Sequence, residues 1–221
     1  MVRTLAERFA DQFLLLYLIN DVSKRTPFIP VTKIQKLVFI SEREMLRSSE
    51  KGFNYYFIKL LYGPFSQDLE NDLNNLVQSE IVDIEPTGWG VKIRPTRKSR
   101  NILGDFDELI ERNKAFIQKI KDTNRRFGIL GFKRLLKAVH HMQSPMHKYR
   151  KGKRPPSIAS LSLRTPLLKP IPEETASKTF SMTPKEIATL EIYFDTEAYE
   201  SLIKASRSAR EKPLLGSKEV F

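Results

Sequence analysis

The side chains best equipped for chemistry in this sequence are His140, His141 and His147 and a run of carboxylates, Asp68, Glu70 and Asp72. Adjacent residues of a helix point about 100° apart, so His140 and His141 do not easily share one metal ion. No Asp or Glu occurs between residues 123 and 172 to complete a ligand set or orient it, and the histidines read as surface residues of a basic region. Asp68 and Asp72 stand four apart on one helix face, with Glu70 pointing away; near a helix start they read as charges placed to suit its dipole. No Ser sits in a nucleophile-elbow context, there is no P-loop or G-x-G-x-x-G, and Thr87-Gly88-Trp89-Gly90 is a turn with no helix behind it to cradle phosphate. Cysteine is absent, which excludes disulfides, thiolate catalysis and cysteine-ligated zinc and suits a reducing cytoplasm. No catalytic, cofactor-binding or metal-binding set emerges, and the expectation is a non-enzymatic protein.

Positive charge is the feature that points to a partner. The net charge is +12. Residues 123–172 carry twelve cations and no acid: Arg125, Arg126, Lys133, Arg134, Lys137, Lys148, Arg150, Lys151, Lys153, Arg154, Arg164 and Lys169. A segregated field of this kind suits nucleic acid, an acidic protein surface or anionic lipid, whereas a merely solvated face usually mixes both signs. A second acid-free stretch, residues 86–104, holds Lys92, Arg94, Arg97, Lys98 and Arg100. Trp89, at its turn, either stacks on a base or folds back on its own hairpin. These residues, with Lys148, Arg150, Lys151, Lys153 and Arg154, are the expected nucleic-acid contacts. The apolar run 13–19 is too short to span a bilayer, and the acidic Glu7 argues against a signal peptide, so no membrane partner is expected.

These side chains need elements to position them. Thr4 and Glu7 have capping-box spacing, and Leu5, Phe9, Phe13, Leu16 and Tyr17 recur at helical spacing to about Val22. A second helix opens at Thr32, with Ile34, Leu37, Val38, Ser41 and Met45 as its stripe and Lys33, Lys36, Arg43 and Arg47 largely outside it. Residues 53–62 read as a short strand broken by Gly63-Pro64. A third helix carries Leu69, Leu73, Leu76 and Val77, and residues 81–84 and 91–94 form a hairpin. Helices follow over 106–120 and 130–139. Six prolines between Ser144 and Lys178 forbid a continuous helix there. Thr183-Pro184-Lys185-Glu186 opens another helix with Thr as N-cap and Pro at N1, and Asp195 starts a last one, which Pro213 and Gly216 end. The class is therefore mainly α with a small β element. Helix, helix, helix, hairpin is the order of a winged-helix unit. The helix before the hairpin carries Asp68, Glu70 and Asp72, however, which phosphates repel.

Two blocks resemble a known family. Lys33-Ile34-Gln35-Lys36-Leu37-Val38-Phe39 is similar to the opening of Panacea (SocA-like) domains, and Leu61-Tyr62-Gly63-Pro64-Phe65-Ser66, followed by Leu69, Leu73, Leu76 and Ile81-Val82, resembles their Tyr-Gly-Pro block. The likeness covers about residues 5–140. It implies an intracellular helical domain with a small β element, of the kind found in antitoxins of toxin–antitoxin systems. Ser79-Glu80 stands where the family usually has Gly, which puts that turn in doubt. The structural reading of the Gly63-Pro64 corner is that Gly adopts a backbone other residues resist and Pro opens the next helix.

Three parts are expected: a Panacea-like domain over 1–142, a basic Pro/Ser-rich linker over 143–179, extended or disordered, and a short helical tail over 180–221. The tail loosely resembles the C-termini of small antitoxins. Its helices are too short to be stable alone, so it must dock on its own domain, a second copy or a partner. On the third option Tyr193, Phe194, Tyr199 and Leu202 are the partner-binding anchors. The expected function is an antitoxin-like or regulatory binding protein that engages a partner protein, a toxin being one candidate, with DNA as a further ligand. The alternative is a winged-helix nucleic-acid-binding regulator without a toxin partner.

Overall fold

The structure, a computed structural model, describes residues 3–88, 90–146 and 155–211, with side chains up to residue 205. It is a mostly helical α+β protein. Helix α1 (Leu5–Ser23) runs through the middle of the body. Thr4 caps it: the Glu7 N–H donates to Thr4 Oγ1 at 3.1 Å, and Thr4 N–H donates back to Glu7 Oε2 at 2.8 Å. Nearly every side chain from Phe9 to Val22 is buried, polar Asp11, Gln12 and Asn20 included. A helix enclosed on all sides has little amphipathic character, and the elements around α1 supply its neighbours.

Strand β1 (Ile29–Pro30) leads into α2 (Val31–Arg47) and the short β2 (Glu50–Lys51). Phe53, Tyr55 and Phe57 are fully buried, Phe53 stacking on Tyr55 with centroids 5.7 Å apart and Phe57 meeting Phe39 edge-on at 5.4 Å. The strand expected over 53–62 is confined to β3 (Phe57–Leu60), and the chain turns back at once as β4 (Gly63–Phe65). Leu60 pairs with Gly63 across the two-residue turn Leu61-Tyr62, and Gly63 has φ +87°, which only glycine adopts freely. Gly63 thus reverses the strand rather than ending it.

Ser66 caps α3 (Gln67–Gln78), and a hairpin of β5 (Val82–Thr87) and β6 (Gly90–Pro95) follows as expected. β1 adds to β6, giving a three-stranded antiparallel sheet in the order β1-β6-β5. The single helix expected over 106–120 is two, α5 (Asp107–Arg112) and α6 (Lys114–Thr123), and a further helix, α4 (Arg97–Asp105), precedes them. α4 is capped by Thr96, and Phe106 and Asn113 break the run with non-helical backbone. A π turn over Asn124–Gly128 leads to α7 (Phe132–His141).

The described part of the expected linker is a strap on the body. β7 (Pro166–Leu168) pairs antiparallel with β3, and β8 (Lys178–Thr179) lies parallel to β2. The prolines leave no continuous helix, only single 3-10 turns over Ile158–Ser160 and Glu173–Thr175, but extended chain is what a sheet edge accepts. Ile158, Leu167, Leu168 and Phe180 are buried in the common core, Phe180 against Phe13 and Phe116 at 6.2 and 5.8 Å. Two helices end the described chain, α8 (Pro184–Phe194), with its Thr183–Glu186 capping box, and α9 (Thr196–Glu211). Leu190 of α8 is fully buried.

A core that draws on residues beyond 142 makes the first 142 residues an incomplete unit. Phe180→Ala should lower the unfolding free energy by about 3–5 kcal/mol, the usual cost of removing a buried Phe ring. A chain ending at 142 should melt well below the full chain in thermal denaturation.

Candidate functional site

The hairpin cations are met largely by the protein itself. The register sets Asp83 opposite Arg94 and Glu85 opposite Lys92, so each cation faces an acid across the ladder. Arg94 Nε donates to Asp83 Oδ2 at 3.0 Å, and its guanidinium lies over the Phe28 ring. Lys98 Nζ donates to the Ser79 carbonyl at 3.0 Å and sits 4.2 Å from the centre of the Tyr199 ring, and burial lowers its pKa. Arg97 and Arg100 remain exposed, and with Arg94 they line a cleft of about 430 Å³ beside Ser23 and Pro27. Trp89, Lys148, Arg150, Lys151, Lys153, Arg154 and His147 lie outside the described residues, as do Pro213 and Gly216.

Of the four expected partner anchors, three touch the chain's own body. Phe194 stacks on Phe9 at 5.7 Å, and its carbonyl accepts from Ser79 Oγ. Tyr193 meets Phe106 edge-on at 6.5 Å, and its hydroxyl donates to Asp105, whose charge, after burial, raises the phenol's pKa. Tyr199 packs on Tyr193 at 5.3 Å and under Lys98. Leu202 alone is open, 52% exposed. The aromatic pattern that suggested a partner is thus the pattern by which α8 docks on α1 and α4.

The carboxylates divide. Asp68 and Glu70 stand in the first turn of α3 as its dipole prefers. Asp72 does not belong with them. It is buried, accepting from Arg3 Nη1 at 2.6 Å, from the Tyr55 hydroxyl at 2.8 Å and from Gln12 Nε2 at 3.2 Å. Arg3 also donates to Asp11 Oδ2 at 2.7 Å, while Asp11 Oδ1 accepts from the Asn54 N–H at 2.6 Å. Burial lowers the Arg3 pKa less than its bonds to Asp72 and Asp11 raise it. Asp11 is pushed up to about 7, because burial outweighs the help of Arg3 and the Asn54 N–H. With their oxygens already engaged, these two acids tie α1 to α3 through Arg3. Long-range pairing of this kind leaves no local spacing to find it by.

The two blocks that carried the family likeness are joined to each other. Gln35 Oε1 accepts from Ser66 N–H at 2.9 Å, Gln35 Nε2 donates to the Ser66 carbonyl at 3.0 Å, and Lys36 Nζ donates to the Pro64 carbonyl at 3.1 Å. Lys33 and Lys36, expected outside the α2 stripe, are buried, and burial lowers the Lys36 pKa to about 8. His140 is half-buried rather than on the surface: its Nε2 lies against Gly63 with no hydrogen-bond partner among the described residues, and burial, then Lys59 and Lys36, lowers its pKa. The signal available in sequence was the pairing of Gln35-Lys36 with Gly-Pro-Phe-Ser about 30 residues on.

No family model matches the chain, and neither the curated proteins nor the solved structures yield a match. The likeness to Panacea domains rests on the residues of the two blocks alone. Among the described residues no group of His, Asp or Glu is placed to hold a metal ion, and no helix is long and apolar enough to cross a membrane.

The Asp11 carboxyl makes stability depend on pH. The folded chain keeps this proton up to about 7, against an ordinary value of 3.8 in the unfolded chain. Its protonation therefore favours folding below pH 3.8, and that contribution is lost as pH rises through the interval to 7. Asp11→Asn should remove this contribution, so that melting temperatures measured at intervals from pH 4 to 8 fall less with rising pH in the variant than in the wild type.

Proposed function

We propose that the chain is a non-enzymatic, antitoxin-like regulatory protein that engages a partner protein through α9 and nucleic acid through its basic surface. The observation that carries the first half is the state of α9. This helix of 16 residues is capped by Asp195, whose Oδ1 accepts from the Ala198 N–H, and touches the body at its start, where Tyr199 lies between Tyr193 and Lys98. Beyond that turn Leu202 is open and Ile203 only partly covered. A helix of this length is marginal in water unless its apolar side is covered. A cleft of about 450 Å³ at its root, lined by Arg8, Phe9, Asn75, Phe194 and Thr196, extends the same surface.

The second reading, a winged-helix regulator without a protein partner, is supported by the chain order α1-β1-α2-α3-β5-β6 with β1 on β6. In that reading β3 and β4 are an insertion between the second and third helices. The acids of α3 and the paired hairpin charges weigh against deep entry into a groove. The Arg94, Arg97 and Arg100 cleft is the better phosphate contact.

Two measurements test these halves. Leu202→Asp should abolish capture of the native partner from its host, treated with nuclease, while leaving the melting temperature unchanged. Retained capture, or a lower melting temperature with loss of a homodimer in Leu202→Asp, overturns the partner role of α9. For duplex DNA, three arginines engaging three phosphates give a slope of log K against log salt of about −3, at about −0.9 per phosphate. Replacing Arg97 and Arg100 by Gln should reduce it by about 2.

A further inference from the structure

A surface outside the hairpin and α9 has its own chemistry. The turn between β3 and β4 leaves Leu61 and Tyr62 exposed, at 70% and 54%. The Tyr62 ring meets Phe132, the first residue of α7, edge-on at 6.2 Å, and Phe132 is itself 38% exposed. Lys133, Arg134 and Lys137 follow on α7, all exposed. Among the described residues no side chain of the three has an ion pair or a hydrogen bond. Several other surface cations are matched, as in Arg47–Glu44, Arg112–Glu186 and Lys119–Glu50.

This arrangement is unfavourable for the isolated protein. Lys133 and Arg134 stand in the first turn of a helix, where the dipole disfavours cations. Lys133 and Arg134 also each repel Lys137, at i,i+4 and i,i+3 spacing. An exposed pair of rings adds apolar surface beside them. A polyanion relieves the charge, and only a ligand with flat apolar faces also uses the rings.

We infer that the Leu61–Tyr62 turn and α7 form a binding surface for single-stranded nucleic acid, with Tyr62 and Phe132 stacking on bases and Lys133, Arg134 and Lys137 contacting phosphates. Base–aromatic stacking is tolerant of sequence and open only to unpaired bases, so the occupant is a single strand rather than a duplex. The acid-free run that begins at residue 123 favours a polyanion of uniform charge over an acidic protein, whose surface mixes signs.

The test is fluorescence anisotropy of the full chain with a labelled oligothymidylate of about 15 nucleotides, within the usual site sizes for such grooves, against a duplex of the same length. The single strand should bind more tightly than the duplex. Phe132→Ala and Tyr62→Ala should each weaken it on the order of tenfold, with unchanged melting temperatures. Lys133→Gln, Arg134→Gln and Lys137→Gln together should reduce the salt slope by about 2, at about 0.7 per phosphate for single strands. Should an alanine variant melt early, Tyr62→Leu and Phe132→Leu keep the apolar bulk while removing the flat ring, and should weaken binding equally. The inference is overturned by no binding at low salt, by duplex binding as tight and insensitive to the rings, or by polyglutamate displacing the strand as well as unlabelled oligothymidylate does. These variants leave Arg97, Arg100 and Leu202 in place, so failure here is distinguishable from failure of the hairpin and α9 readings.

Discussion

Arg3, just ahead of α1, holds Asp11 of α1 and Asp72 of α3 with one guanidinium, and the placement of the surrounding elements follows from that contact. A polar face inside an otherwise apolar helix is costly to bury unless each group finds a partner. Asp11 finds Arg3 and the Asn54 backbone, Gln12 finds Asp72, and Asn20 donates to the Leu16 carbonyl and to Ser99 of α4. Each of these bonds is directional, so together they fix the rotation of α1 about its axis. With α1 oriented, its apolar residues pack against α2, α6 and α8, and Phe13 packs against Phe180 of the strap. Such a buried pair contributes little net stability but costs several kcal/mol when one partner is lost, which makes it a device for choosing one packing.

The corner at Gly63-Pro64 works by the same logic in a second place. Gln35 closes both backbone groups of Ser66, and Lys36 closes the Pro64 carbonyl, so α2 holds the start of α3 through backbone contacts indifferent to side-chain identity. The turn itself, Leu61-Tyr62, is thereby free to face outward. A rigid corner presenting two exposed apolar residues is a structure that positions a contact. The sequence resemblance and the surface argument thus meet at one physical feature without depending on each other.

What could be read in the sequence was what is local. Capping boxes at Thr4–Glu7 and Thr183–Glu186, the apolar period of α2 and α3 and the turn at residue 88 are set by residues within a few positions of one another. What was hidden depends on residues far apart. Asp72 looked like its neighbours Asp68 and Glu70 because the groups that distinguish it, Arg3, Gln12 and Tyr55, lie 69, 60 and 17 positions away. Lys36 looked solvated because a lysine gives no sign that a carbonyl waits for it. The strap was hidden because proline-rich extended chain reads the same whether it pairs with a sheet edge or runs free in water. Tyr193 and Phe194 were legible as anchors, and of the three surfaces open to them they take the chain's own domain.

Charge, finally, is informative only after pairing is accounted for. A sum of +12 ranks every cation equally, and on that footing the hairpin and the basic run appeared alike. The ladder register shows that they differ: Lys92 and Arg94 lie opposite acids, and Lys98 is tied to Ser79 and Tyr199, whereas Lys133, Arg134 and Lys137 have no such company. Cations already paired cost a ligand the pairs it must break, while unpaired cations on one helix repel each other until an anion arrives. Among the described residues, a polyanion therefore gains more at α7, and on the Arg97 and Arg100 side of the hairpin, than at Lys92, Arg94 or Lys98.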